Sequence, residues 1–315
     1  MTQFRSLLLF CLLALLFGAS FPAIKLGLEY APPLLFAALR FDVAAILLLS
    51  YVVFVTDDWR PTTRGDVLYI GVGGLFLITL GNALLFVGQG GTTTAVSSVL
   101  FSLIPLLTAL FAIAIYPEFK PTVYCISSLI LGLIGIVIIA NPDPANLFGS
   151  AALPKFLVTG AAASIALGST IVYRIEHTIS NEAAVAWSMA LGAVLLHLLA
   201  ATVTKEPLSA VTVTPTLVGA VLYLALFASA FAYLIYFHLL RELGPLEVNL
   251  NSYVVPVYTV VLSWVLLDEL IDPQTVVGFL VIFAGFALLK RNDIREKFPD
   301  SGERPPQPSR ASTST

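Results

Sequence analysis

Two long apolar stretches of the chain match each other at a fixed spacing. Residues 95–118 read AVSSVLFSLIPLLTALFAIAIYPE, and residues 246–269 read LEVNLNSYVVPVYTVVLSWVLLDE. A proline and an acidic residue recur in the two stretches, each shifted by 151 positions: Pro105 and Pro256, then Glu118 and Glu269. Self-similarity at one spacing indicates a duplicated structural unit. The chain is therefore expected to consist of two related halves.

The composition places both halves in a membrane. Apolar residues make up 58% of the chain and charged residues 11%, against roughly 45–50% and about 25% in soluble domains. The apolar residues come in runs of about 20, the length of helix that crosses a hydrocarbon core of roughly 30 Å. We predict an all-α membrane protein with ten transmembrane helices. The predicted spans are residues 6–28, 33–55, 67–88, 94–116, 121–140, 153–174, 183–203, 216–238, 246–268 and 273–290.

The number of spans predicts how the halves are related. Five spans per half is odd, so the sixth span enters the membrane from the side opposite to the first. The result is two inverted five-helix repeats around a pseudo-two-fold axis in the membrane plane. We assign residues 1–145 to the first repeat and 146–291 to the second. Residues 292–315 are polar and rich in Pro, Ser and Thr, which predicts a disordered cytoplasmic tail.

Basic residues between the spans predict the orientation. With the amino terminus in the cytoplasm, nearly all Lys and Arg residues outside the spans lie inside; Lys155 and Lys205 lie outside. The positive-inside rule then predicts a multi-pass protein of the cell membrane with both termini cytoplasmic. A cleaved signal peptide at residues 5–20 is the alternative. Cleavage would leave nine spans and destroy the symmetry, so we expect the first helix to be retained.

Three charged residues inside the predicted spans are candidates for a substrate site. Lys25, Arg40 and Asp42 each cost roughly 2.5–3.5 kcal/mol at a helix centre, which favours a functional reason for their presence. Arg40 and Asp42 are two positions apart and point to nearly opposite faces of one helix. We expect Lys25 to pair with Asp42, which would leave Arg40 free for an anionic group. The alternative is that Lys25 and Arg40 extend to the membrane surface.

The prolines and several uncharged polar residues complete the candidate site. Pro105 and Pro256 interrupt equivalent helices near the midplane, and paired interruptions of this kind indicate a transporter's binding site. Polar side chains within spans could bind substrate or could join helices by hydrogen bonds. These residues are Asn82, Tyr233, Asn251, Tyr253 and Tyr258. Asn249 lies closer to a span end and is a weaker candidate.

Two short motifs resemble a known family. Residues 17–25 read FGASFPAIK, which resembles the first-helix pattern W-G-x-x-F-x-x-x-K of the drug/metabolite transporter superfamily, in its ten-helix EamA-like branch. Residues 36–41 read FAALRF, which resembles the second-helix pattern F-x-x-x-R-F. Phe17 replaces the usual tryptophan, and Ser188 stands where the second repeat would match Arg40. The resemblance implies export or exchange of a small metabolite such as an amino acid or related compound.

Other functions have less support in the sequence. A membrane-embedded enzyme would need clustered chemistry, and neither H-E-x-x-H nor G-x-S-x-G occurs. A channel without carrier activity remains an alternative. The chain has no Walker motif for ATP binding. Its two cysteines do not have the spacing of a metal site. We therefore expect no cofactor and no nucleic-acid partner. The expected partners are a small-molecule substrate and the lipid bilayer, with monomer or homodimer left open.

Overall fold

The structure is a computed structural model of the chain, and it describes residues 3–116, 123–140 and 152–289. Within these ranges every long regular element is helical. Eight helical segments there are long and apolar enough to cross a membrane, and two shorter apolar helices accompany them. The helices are α1 (Gln3–Gly27), α2 (Pro33–Val55), α3 (Arg64–Gly90), α4 (Thr94–Ile115), α5 (Val123–Ala140), α6 (Leu153–Val172), α7 (Asn181–Thr204), α8 (Pro215–Leu243), α9 (Pro245–Asn249, Leu250–Tyr253 and Val255–Leu267) and α10 (Pro273–Leu289).

The ten-helix fold expected from the sequence is confirmed. The helices fall on the predicted spans to within a few residues, and α8 extends five residues beyond its predicted end at 238. Glu118 and the tail 292–315 lie outside the described residues, as does the amino-terminal methionine. We call the side of the membrane on which α1 begins the amino-terminal face, and the other side the opposite face.

Backbone irregularities recur in the two repeats at the same spacing as the prolines. A wide π-helical stretch occupies Gly73–Leu80 of α3, and another occupies Leu224–Phe231 of α8, 151 residues later. The α-helical part of α4 stops at Phe101 and resumes at Ile104. In α9 a 3₁₀ turn separates the two α-helical parts, and the second begins at Val255, again 151 residues later. The duplication therefore extends to the positions at which the helices are deformed.

Helix packing follows the same two-fold relation. α2 packs on α7, and α5 packs on α10, so each of these helices contacts its own repeat equivalent. α1 packs on α8 and α9, and its equivalent α6 packs on α3 and α4. Exchanging the two repeats leaves this set of contacts unchanged, which is the pattern that two inverted repeats produce. The axis therefore passes between α2 and α7 and between α5 and α10.

Small residues let α3 and α6 approach closely. Ser164 of α6 donates a hydrogen bond of 2.8 Å to the carbonyl oxygen of Phe76. A Cβ atom added at Gly168 would lie 2.7 Å from the Cβ of Phe76, and one added at Gly88 would lie 2.7 Å from the carbonyl oxygen of Pro154. Helices without large side chains at the contact pack backbone to backbone. At Gly88 the nearest neighbour is a backbone oxygen, which leaves no room for a side chain.

We expect Gly88→Ala to destabilise the protein. The new methyl group would meet the backbone of α6, which cannot rotate away, and overpacking of this kind costs about 1–3 kcal/mol. A lower melting temperature of the purified protein in detergent measures the effect. Gly90→Ala, at the same end of α3, is the matched control, because a Cβ atom added there would have no neighbouring atom within 4 Å. Equal melting temperatures for the two variants would contradict the close α3–α6 contact.

Asp66 joins the two repeats at the amino-terminal face. Its side chain is fully buried and accepts hydrogen bonds from the backbone N–H groups of Thr63 at 2.8 Å and Thr178 at 2.7 Å. Thr178 lies between α6 and α7, whereas Asp66 lies in the first turn of α3. Nearby, the pKa of His177 is lowered by burial and then by the positive charge of Arg241. One acidic side chain therefore fixes the α6–α7 connection against the start of α3.

The opposite face also has a contact that joins the two repeats. Glu206, between α7 and α8, accepts hydrogen bonds from the N–H groups of Leu34 at 3.2 Å and Leu35 at 2.8 Å. These N–H groups belong to the first turn of α2, where helical partners are missing and negative charge is favourable. The N–H of Thr212 also donates to the carbonyl oxygen of Tyr30 at 2.8 Å. Each face thus has contacts between a loop of one repeat and a loop or helix start of the other.

Candidate functional site

A cavity of about 80 Å³ lies where the irregular helices of the two repeats meet. Its walls come from α1, α2, α3, α4, α6, α8 and α9. The lining residues are Phe17, Ser20, Phe21, Arg40, Leu77, Gly81, Asn82, Leu85, Phe101, Ile104, Ile165, Tyr233, Tyr236, Val248, Asn249, Asn251, Ser252 and Val255. A dry 150 Å³ cavity is large enough for benzene. The free space in the described conformation is therefore smaller than that cavity, and we expect it to grow when a metabolite binds.

Equivalent positions of the two repeats form much of this lining. Asn82 and Tyr233 are 151 residues apart, as are Leu85 and Tyr236. Equivalent residues at the helix breaks also line the cavity in pairs: Phe101 with Ser252, and Ile104 with Val255. The cavity therefore lies on the interface between the repeats, at the level of their broken helices.

The prolines act on the backbone beside the cavity. Pro105 and Pro256 occupy the first turn of the helical segments that resume after the breaks in α4 and α9. Proline is tolerated in a first turn because its missing N–H has no helical partner there. Both prolines are buried, and neither lines the cavity. They fix where the segments restart, and so where the neighbouring side chains point.

Arg40 brings a positive charge to the cavity wall. Its side chain is 3% exposed, and its Nε atom donates a hydrogen bond of 3.0 Å to the Oγ of Ser229. Ser229 belongs to the π-helical stretch of α8. The guanidinium carbon lies 4.6 Å from the ring centre of Phe41 and 5.5 Å from that of Phe86, distances at which a cation is attracted to an aromatic ring.

The side chains of Asn82 and Tyr233 use part of their hydrogen-bonding capacity on the backbone of α3. The Nδ2 of Asn82 donates to the carbonyl oxygens of Leu77 at 3.2 Å and Ile78 at 2.8 Å, within the π-helical stretch. The hydroxyl of Tyr233 reaches the Leu77 carbonyl at 3.5 Å. A π-helical stretch leaves some carbonyl groups without regular helical partners, and these side chains satisfy them. Asn82 thus supports the deformed helix as well as lining the cavity.

Asn251 and Asn249 lie on the irregular part of α9. The Nδ2 of Asn251 donates to the carbonyl oxygen of Phe10 at 2.6 Å, and its buried Oδ1 has no hydrogen-bond partner within the described residues. Asn249 is more fully bonded: its Nδ2 donates to Thr108 at 2.9 Å and Ser169 at 3.0 Å. Its Oδ1 accepts from the hydroxyl of Tyr236 at 2.9 Å. The sequence ranked Asn249 low because it lies near a span end, yet it is 3% exposed and joins three helices.

Lys25 and Asp42 do not form the expected pair. The Nζ of Lys25 donates to the carbonyl oxygens of Thr92 at 2.9 Å and Gln89 at 3.4 Å, at the end of α3. Carbonyl groups at a helix end lack helical partners and favour a cation. Asp42 instead contacts the Nε2 of His197 on α7 at 2.7 Å, with both side chains about 40% exposed. That pair lies on the outer surface of the bundle, away from the cavity.

Tyr253 and Tyr258 also lie outside the cavity lining. Tyr253 is buried and packs edge-on against Phe283 of α10. Tyr258 packs against Gly18 of α1, where an added Cβ would lie 2.6 Å from the Cβ of Tyr258. The glycine of the first-helix motif thus permits the close approach of α1 and α9. In the part of the chain that the structure describes, no cluster of three or more His, Cys, Asp or Glu side chains could hold a metal.

Comparison with known proteins identifies the chain. The model of the EamA-like transporter family matches residues 4–141 and again residues 153–291. The chain belongs to the EamA-like transporter family. The family assignment expected from the motifs in α1 and α2 is thereby confirmed. A member of this family is a multi-pass membrane transporter with ten helices in two repeats, and its relatives point away from an enzyme.

Several relatives of this EamA-like chain carry no assigned substrate. An uncharacterized transporter of Archaeoglobus fulgidus is 28% identical over 89% of this chain and 96% of its own length. The uncharacterized inner membrane transporter YedA of Escherichia coli K12 is 30% identical over 80% of this chain and 79% of its own. A protein crystal structure that is 19% identical superposes with a TM-score of 0.66, covering 94% of this chain and 100% of that one, and supports the fold.

Proposed function

We propose that this protein is a secondary transporter that exports or exchanges a small metabolite, such as an amino acid or related compound. Alternating access between two inverted repeats, residues 1–145 and 146–291, would carry the substrate across the membrane. The observation that supports this most is the cavity, because equivalent positions of both repeats line it beside equivalent helix breaks. Sites at a repeat interface with interrupted helices are typical of such transporters.

Contacts between the repeats on the two faces would open in turn. On the opposite face, Glu269 at the end of α9 accepts a hydrogen bond of 3.0 Å from the N–H of Thr94 at the start of α4. On the amino-terminal face, the hydroxyl of Tyr116 after α4 donates to the carbonyl oxygen of Thr170 of α6 at 2.6 Å. Both contacts join one repeat to the other, and both are made in the described conformation. Rocking of the repeats would break one contact while the other persists.

The orientation follows from the distribution of basic residues. We place the amino-terminal face, with Arg60, Arg64, Arg174 and Arg241, in the cytoplasm of a cell membrane. Both chain termini then lie in the cytoplasm. The contact between Glu269 and Thr94 would close the outer side, and that between Tyr116 and Thr170 the inner side.

Chemical labelling in proteoliposomes tests the mechanism without knowledge of the substrate. Ser252→Cys, in a background without Cys11 and Cys125, places one thiol on the cavity wall. Alternating access is expected to expose this thiol to membrane-impermeant maleimide added on either face. Ser188→Cys is the control, because Ser188 is fully buried in α7 and lines no part of the cavity.

Two results would contradict alternating access. Labelling of Ser252→Cys from one face only would show that the cavity does not change sides. Leakage of small polar solutes through the unlabelled protein, without saturation, would favour the channel instead. Labelling from both faces with no leak supports the carrier, since a carrier never opens to both sides at once.

A further inference from the structure

We propose that the cavity binds a small organic anion that carries a flat apolar group. Arg40 would hold the anionic group, and the aromatic side chains that line the cavity, which we call the aromatic wall, would hold the flat group. This inference rests on the proposed function, because it assumes that the cavity is the transport site.

The charge of the cavity is unbalanced. Arg40 is the one charged residue among the lining residues given above, and its single hydrogen bond within the described residues goes to the neutral hydroxyl of Ser229. Asp42, two positions along α2, is paired with His197 on the outer surface. A guanidinium group stays protonated in proteins, and burying its charge without a partner is costly. An anion in the cavity would supply the missing charge.

The chemistry of Arg40 favours a planar anionic group. A guanidinium offers five N–H donors in a fixed fork that matches a carboxylate by two parallel hydrogen bonds. The Nε donor is taken by Ser229, and within the described residues the terminal amino groups donate to no protein acceptor. The rings of Phe41 and Phe86 stabilise the cation but accept no ordinary hydrogen bond. The terminal amino groups therefore remain for a ligand.

The rest of the lining is rich in aromatic side chains and contains no acid. Five aromatic side chains contribute: Phe17, Phe21, Phe101, Tyr233 and Tyr236. Such side chains stack on flat groups and offer them large apolar contact areas. An organic cation would meet Arg40 without any carboxylate to balance its own charge. An inorganic anion would leave the aromatic wall unused, so the two features together favour a ligand with both groups.

Binding of matched probes to the purified protein in detergent tests this inference. The probes are phenylacetate, its neutral amide phenylacetamide, the cation phenethylammonium, and acetate, which lacks the ring. The readout is the melting temperature as a function of probe concentration. Phenylacetate is expected to raise it in a saturable way, with the other three probes at least tenfold weaker. Equal or stronger stabilisation by the amide, the cation or acetate would overturn the proposal, as would no stabilisation by phenylacetate.

Variants identify the residues that bind the probe. Arg40→Gln keeps a polar side chain without the charge and is expected to remove the shift by phenylacetate. Arg64→Gln is the matched control, since Arg64 is an exposed cation outside the cavity. If Arg40→Gln does not fold, Phe17→Leu provides a second test, because it removes one ring of the wall and keeps an apolar side chain. A shift that persists unchanged in whichever variant folds would overturn the assignment.

The binding test and the labelling test examine different proposals, so a negative result in one does not imply a negative result in the other. Binding in detergent requires no movement across a membrane, whereas labelling of Ser252→Cys requires no ligand. Labelling from both faces with no binding of phenylacetate would reject the substrate class alone. Binding of phenylacetate with labelling from one face only would reject alternating access and leave the anion site in place.

Discussion

Arg40→Met is expected to abolish transport without lowering the stability of the protein. Methionine keeps an unbranched apolar stem in place of the arginine stem, but it is shorter and offers no charge and no N–H donor. Loss of hydrogen bonds from a charged group costs about 1.5–3 kcal/mol each, so two bonds to a substrate correspond to a loss of at least 100-fold in substrate affinity. Replacing a buried charge by an apolar side chain is often neutral or stabilising for the fold. Uptake into proteoliposomes and the melting temperature measure the two effects.

The combination of results distinguishes a ligand-binding Arg40 from a structural one. If the hydrogen bond between Arg40 and Ser229 mainly holds α2 against α8, Arg40→Met lowers the melting temperature together with transport. Ser229→Ala removes the same hydrogen bond while keeping the charge, and we expect it to retain most transport. Normal transport by Arg40→Met would show that the cation is not needed by the substrate.

Asp66→Ala is expected to destabilise the protein by about 3–5 kcal/mol. The substitution removes the acceptor of hydrogen bonds from the backbone N–H groups of Thr62, Thr63 and Thr178. Each lost hydrogen bond to a charged group costs about 1.5–3 kcal/mol, and the costs are not fully additive. The melting temperature and the yield of folded protein in detergent measure the effect.

Asp58→Ala is the matched control for Asp66→Ala. Asp58 is an exposed acid in the loop that precedes α3, and its backbone oxygen, which accepts from the N–H of Ser180, is kept by the substitution. We expect the control to melt within a few degrees of the unchanged protein. Equal stability of the two variants would mean that the buried carboxylate does not hold the two repeats together at this face.

The large-scale fold could be predicted from the sequence because the membrane limits the choices. Backbone groups in hydrocarbon must be satisfied within the chain, so apolar runs of sufficient length become helices. The two prolines marked the interruptions, since proline cannot continue a helix from the preceding turn. The duplicated spacing then related α4 to α9, and both interruptions lie where the prolines placed them.

Side-chain partners could not be predicted in the same way. Asp42 was matched with Lys25 because the two helices are neighbours in sequence, but its partner His197 is 155 residues away. The contact of Lys25 with carbonyl groups at the end of α3 could not be predicted, because a sequence does not show which backbone carbonyl groups lack a helical partner. The π-helical stretches also have no simple residue signal, and only the structure shows that Asn82 satisfies one of them. Arg40, Asn82, Tyr233 and Asn251 do line the cavity, and so does Asn249, which was a weaker candidate from the sequence.

The two repeats share their backbone deformations but differ in the side chains that these deformations present. Where the first repeat has Leu85 and Ser98, the second has Tyr236 and Asn249, which hydrogen-bond to each other. The positions of the helix deformations are thus duplicated, whereas the polar side chains beside them differ between the repeats. Selection could consequently rewrite ligand preference through a few positions of α8 and α9. The helix breaks, encoded twice, would be left unchanged by such substitutions.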